Sequence, residues 1–193
     1  MKFLLLIFIL IYNLQATEFR LQAGWNLVGT QNSIDDINSK IPIASLAWKH
    51  DDSKWFVASP NQSYSVDSFP NKLTSLNAGD GFWLYMSSDY NLSLEYANLN
   101  DSNITIFNHW NLVALKVNHE VKVSEYFNNP KINLIWKYTN GLWQVYSPNP
   151  EISDLITQSE YKPIETINPS EGFWIQSDEN VTIVFDEYIE AKY

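Results

Sequence analysis

Gly24-Trp25-Asn26-Leu27-Val28 returns 85 residues later as His109-Trp110-Asn111-Leu112-Val113. The echo continues outward from this stretch. Trp48 through Trp55 to Ser59-Pro60 recurs as Trp136 through Trp143 to Ser147-Pro148 at an offset of 88, and Gly81-Phe82-Trp83 recurs as Gly172-Phe173-Trp174 at 91. All eight tryptophans fall into four such pairs, and each step in the offset is a three-residue insertion. Self-similarity of this kind marks a repeated structural unit. The chain reads as a leader 1–16, a first copy 17–97, a polar joint 98–102 and a second copy 103–193.

The local signals within each copy are mostly strand. Phe19 to Val28 and Ile104 to Leu115 are β-branched and aromatic runs. Trp136 to Trp143 encloses Asn140-Gly141, a pair that supplies the positive φ angles of a tight hairpin. A two-residue turn at Asp51-Asp52 would place Trp48 opposite Trp55, whereas the Asn140-Gly141 turn makes Trp136 and Trp143 diagonal neighbours. In either register both tryptophans share one face, since a shift of two residues preserves the side. Lys49 and Lys54, like Lys137 and Gln144, fall on the opposite face, so the paired indoles are expected to point into the core. Ser33-Ile34-Asp35-Asp36 reads as a capping box before Ile37 and Ile41, and Val123, Tyr126 and Phe127 have helical spacing. The last strands are expected over 92–96 and 181–185. The fold class is thus mainly β, with two tandem small β modules of about five strands and one short helix each. Each module is expected to be barrel- or sandwich-like, the two packing about a pseudo-twofold.

The Gly-Trp-Asn-Leu-Val opening, the Trp…Trp…Ser-Pro middle and the Gly-Phe-Trp close resemble the tandem tryptophan-rich repeat modules of bacterial exported and cell-surface proteins. The resemblance covers nearly all of the chain after residue 16. The second copy departs from it in carrying His109 and Ala114 where the first has glycines. What the resemblance implies is a surface or periplasmic module, with no catalytic residues to carry over.

Composition narrows the function further. The 193 residues include 29 aromatic side chains (8 Trp, 11 Tyr, 10 Phe), a formal charge of −10, no cysteine and three histidines. A nucleic-acid binder needs a basic stripe, and the 12 Lys and Arg here are outnumbered by 22 acids. The absence of cysteine excludes a disulfide framework, a thiolate metal site and a cysteine nucleophile. Met1-Lys2, the apolar run Phe3 to Tyr12 and the small residue Ala16 have the three-part form of a secretory signal peptide. That run is too short to span a membrane, which takes roughly 20 apolar residues, and no later stretch is longer. An exported protein is expected: periplasmic, secreted or on the cell surface.

No sequence motif carries chemistry. There is no P-loop, dinucleotide fingerprint or EF-hand spacing, so no cofactor or metal is expected. Residues unique to one copy are His50, His109, His119 and the Asp51-Asp52 pair, read as turn residues; acids close to His50 would raise its pKa. Asp80 and Glu171, duplicated just before a glycine, read as turn acids. Asp178-Glu179-Asn180 is a loop cluster of weak calcium-binding character. The functional lead is the alternation in the Gly-Phe-Trp strands. It sets Phe82 and Leu84 against Trp83 and Tyr85, and Phe173 and Ile175 against Trp174 and Gln176. Trp83, Tyr85 and Trp174 are therefore the candidate ligand-binding residues, as partly exposed stacking platforms; the opposing reading has these indoles filling an interface between copies. Five Asn-x-Ser/Thr triplets begin at Asn61, Asn91, Asn100, Asn103 and Asn180. Those at Asn91, Asn103 and Asn180 have an acid two residues earlier, which resembles the acceptor of bacterial periplasmic N-glycosylation. The expected function is a non-enzymatic binding module for a glycan or protein partner. A glycan- or cell-wall-acting hydrolase and a small outer-membrane barrel or structural envelope protein are the alternatives.

Overall fold

The computed structural model describes residues 16–95 and 102–185. The expected leader lies outside them apart from Ala16, as does the joint apart from Ser102, and as does Asn100. The first half runs β1 (Ala16–Leu21), β2 (Gly24–Gly29), α1 (Ile37–Lys40), β3 (Leu46–Asp51), β4 (Lys54–Ala58), β5 (Gly81–Met86) and β6 (Tyr90–Glu95). The second runs β7 (Ile104–Ile106), β8 (His109–Ala114), β9 (Val121–Lys122), α2 (Val123–Tyr126), β10 (Ile132–Thr139), β11 (Leu142–Tyr146), α3 (Pro150–Thr157), β12 (Lys162–Pro163), β13 (Thr166–Ile167), β14 (Gly172–Ser177) and β15 (Val181–Ile183). The protein is mainly β, and its sheets are open: β2-β5-β3-β4, β12-β11-β10-β14-β8 and the pairs β1-β6, β7-β15 and β9-β13. Among the described residues no sheet closes into the barrel that was one expected form. No described helix is long and apolar enough to cross a membrane.

Each long run expected as one strand is broken at a corner. Asn26 makes the first corner by accepting the Gln22 N–H at 2.9 Å and donating back to the Gln22 and Gly24 carbonyls. Asn111 repeats this with Phe107 and His109. The residue before the tryptophan takes a left-handed backbone, φ 96° at Gly24 and 81° at His109. A side chain is strained there, so His109 holds the turn at a cost that glycine avoids.

Two buried clusters form the core. One gathers Leu21, Val28, Ile37, Ile41, Phe82 and Leu84 with their neighbours, the other Ile106, Val121, Phe127, Ile135, Phe173 and Ile175 with theirs. The expected spacing of Ile34, Ile37 and Ile41 puts all three inside, but Asp36 rather than Ser33 caps α1, accepting the Asn38 N–H at 3.0 Å. Helix α2 forms where its spacing placed it. Helix α3 was unforeseen, although Asn149 as N-cap and Pro150 at the first turn announce it.

The hairpin faces reverse the expectation. Lys49 is buried beside Ala47 in β3 and Lys137 beside Ile135 in β10, while Trp55 and Trp143 are exposed and Trp48 and Trp136 half-buried. Each lysine lies on the core face and meets the acid of the Gly-Phe-Trp turn. Lys49 reaches Asp80 at 2.7 Å, and Lys137 reaches Glu171 at 2.9 Å and the Thr166 carbonyl. The acids also tie their own turns, accepting from the Asn77 and Asn168 backbone N–H. Register is corrected as well: His50 stands opposite Trp55, making Trp48 and Trp55 diagonal like Trp136 and Trp143.

The halves meet along a backbone seam. Val28 bridges Glu171 and Val113 bridges Asp80. The Gly29 N–H donates to the Ser170 carbonyl, and the Ala114 N–H to the Gly79 carbonyl. Gly172 and Gly81 pass so close to Val28 and Val113 that a side chain on either would overlap backbone, and one on Gly29 would overlap the Ala114 methyl.

Candidate functional site

With the lysines turned inward, the indoles share the other face of each sheet and gather where the two sheets approach. The tip of each hairpin reaches the Gly-Phe-Trp strand of the other half. His50 and Trp55 lie against Trp174, with ring centroids 5.1 and 5.8 Å away. Tyr138 and Trp143 lie against Trp83 at 5.5 and 5.8 Å. Within the hairpins, His50 to Trp55 is 5.1 Å and Tyr138 to Trp143 is 5.2 Å. The two triads correspond residue for residue, and each takes side chains from both halves.

Around each triad an open cleft forms. A cleft of about 490 Å³ is lined by His50, Trp55, Trp110, Trp136, Trp143, Tyr161 and Trp174. A second, of about 600 Å³, is lined by Trp25, Leu46, Trp48, Trp55, Trp83, Tyr138 and Trp143. All eight tryptophans line one or both, with Trp55 and Trp143 common to the two. Even the edge contacts match: Tyr161 meets Trp136 edge-on at 4.9 Å, and Phe69 meets Trp48 the same way at 5.2 Å. Trp25, Trp55, Trp110 and Trp143 keep 43, 43, 41 and 38% of their surface exposed. Rings that each bury 150–250 Å² in a packed core are left here as an open aromatic surface.

Each aromatic cleft adjoins a polar groove. Beside the His50 cleft, and sharing His50 and Trp110 with it, is a groove of about 930 Å³ that includes Asp51, Asp52, Asp80 and Lys116. Beside the Tyr138 cleft, a smaller one of about 160 Å³ shares Trp25 and Tyr138 and includes Arg20, Asn140 and Glu171. Asp51 and Asp80 both pair with Lys49. The His50 pKa is lowered, because burial among the rings outweighs the opposing pull of Asp51. The neighbouring acid alone would raise it, as expected from the sequence.

Of the residues singled out from sequence, Trp83 lies in the Tyr138 cleft and Trp174 in the His50 cleft. Tyr85 packs on Trp25 at 5.2 Å, on the same face but outside both linings. Phe82, Leu84, Phe173 and Ile175 are buried on the opposite face, as the alternation required. Asn91 is exposed in β6 opposite Arg20, and Asn103 is half-buried ahead of β7. Asn180 is exposed and accepts the Asn108 N–H at 2.9 Å. Asp178 and Glu179 are taken up by Asn133 and Lys131. His109 sits in the corner and His119 is half-buried in the loop before β9.

Sequence reasoning placed Trp48, Trp55, Trp136 and Trp143 in the core and so missed most of this surface. The available signal was the duplication of opposite charges: Lys49 and Lys137 recur as faithfully as Asp80 and Glu171, as partners would. Comparison of the chain with protein-family models, with curated proteins and with solved structures finds no match.

Proposed function

We propose that the chain is an exported bacterial binding module, periplasmic, secreted or on the cell surface, that takes a glycan or protein ligand on its aromatic clefts and performs no chemistry. In this reading it is built of two copies of one tryptophan-rich repeat packed about a pseudo-twofold. The observation that carries it is the gathering of eight tryptophans around two open clefts. Concave, largely apolar spaces of 300–1,000 Å³ with a few polar groups are the usual form of a ligand site. The first sixteen residues support export. Binding is favoured over glycan hydrolysis because hydrolysis needs two free carboxylates about 5–9 Å apart, and Asp51 and Asp80 are both engaged by Lys49.

The test is a two-dimensional amide spectrum of residues 17–193, following the eight indole N–H signals while mixed oligosaccharides and then peptides are added. Shifts confined to indoles of the clefts support the reading. Silence of all eight toward every ligand would leave a structural role in the envelope as the better account.

A further inference from the structure

The two clefts are one site presented twice. Exchanging the halves carries Trp55, Trp174 and Trp110 onto Trp143, Trp83 and Trp25, with the triad spacings kept within half an ångström. Sites so alike recognise the same chemical unit, and sites sharing two of their walls recognise units joined to each other. Building on the binding function proposed above, we infer that the occupant is a single linear chain of neutral sugar units laid across both clefts at once.

The chemistry of the lining selects this occupant. His50 is the only lining residue that can carry a charge near neutral pH, and burial favours its neutral form. Neither a carboxylate nor a lysine or arginine is among the lining residues to balance a charged unit. A sugar ring has apolar C–H faces for the indoles and hydroxyl edges for the indole N–H, phenol and imidazole groups. With the halves related by the pseudo-twofold proposed above, a chain lying across that axis meets the second cleft in the reverse direction. A ring with an apolar patch on each face tolerates that reversal, whereas a proline-rich peptide, the other ligand of aromatic grooves, is read partly through its backbone direction.

Joining two units makes the second binding event intramolecular, which raises overall affinity by about 10²–10⁴-fold when the linkage spans the sites. The experiment is calorimetric titration of the full chain after residue 16 with cello-, xylo- and chito-oligosaccharides of two to eight units. The expected result is two weak equivalent sites for the shortest oligomers of the matching series. Beyond a threshold length it becomes one site bound at least 100-fold tighter. Trp110→Ala, at an exposed ring of one cleft, should keep one weak site and abolish the length effect; Trp25→Ala should do the same from the other cleft. Weak sugar binding with no gain in affinity at any length would overturn the bridging inference and leave the binding function standing. Binding of a proline-rich peptide with no response to any oligosaccharide would overturn the sugar assignment and leave the binding function standing, and silence toward both would likewise overturn the sugar assignment.

Discussion

The His50 cleft and the Tyr138 cleft share a frame and differ in what borders it. Both set a hairpin tip against the other half's Gly-Phe-Trp tryptophan at nearly the same distances. Around the first stand an imidazole, the Tyr161 phenol and a broad groove with three aspartates; around the second stand a phenol, the apolar Phe69 ring and a small groove with Arg20. The geometry is therefore held by what the halves have in common: the inward lysine, its turn acid, the close-packed glycines and the corner asparagine. The differences between the clefts lie in the ring at each hairpin tip, His50 against Tyr138, and in the charged side chains that border it. An open aromatic lining is thus the common property of the two clefts, and an imidazole and the bordering charges distinguish them.

The largest effect should come from the inward lysines. Lys137→Met leaves Glu171 in a confined site without its cation, which should cost about 3 kcal/mol of stability, seen as a lower urea midpoint at unchanged slope. Lys49→Met should cost a similar amount through Asp80; a difference beyond about 1 kcal/mol between the two would break the equivalence of the frames. Next come Gly81→Ala and Gly172→Ala, each forcing a methyl into the partner half's backbone at an expected cost of about 2 kcal/mol. Equal losses sharpen the comparison, and loss at one position alone would show that only one side of the seam bears load.

The corners give smaller changes of opposite sign. Gly24→Ala has open space for its methyl, so its cost of about 1 kcal/mol is purely torsional, while His109→Gly should relieve strain and stabilise by about 0.5 kcal/mol. Thermal midpoints of the two variants check both signs. The smallest effect is the titration of His50. Its folded pKa lies below the ordinary value of 6.5, so on acidification the unfolded chain binds the proton first. The contribution to stability is full above about pH 6.5 and falls as the pH drops toward the folded pKa, below which it is flat. His50→Tyr, which copies the other cleft, should remove that fall; comparing melting curves between about pH 7.5 and 5 with the parent measures it.

The β class, the Asn140-Gly141 register, α2 and the turn role of Asp80 and Glu171 were legible because each depends on neighbours close in sequence. The orientation of the hairpins was not. A lysine in a strand is ordinarily the solvent-facing residue, and Lys49 and Lys137 are exceptions only because acids more than thirty residues downstream meet them. Once that one choice is inverted, Trp48, Trp55, Trp136 and Trp143 move from the core face to the cleft face. The clefts were further from reach, since each depends on contacts between Trp55 and Trp174 or Trp143 and Trp83 that no local pattern encodes. Partial exposure and contact with the other half are not exclusive: Trp83 and Trp174 line the clefts and touch the opposite hairpin at once. His50 shows the same limit in its electrostatics: Asp51 was visible beside it, but the rings that desolvate it come from distant strands.

The seam carries a last consequence, at the point where Gly29 faces Ala114. The methyl of Ala114 occupies the volume that any side chain on Gly29 would need. Two copies of the second half brought together in this arrangement would set two methyl groups in that one volume, and two copies of the first would leave it empty. The halves are alike enough to build matching clefts and unlike enough that each fits the other better than it fits itself. The Ala114 methyl at the seam thus favours the union of unlike halves over the union of like ones.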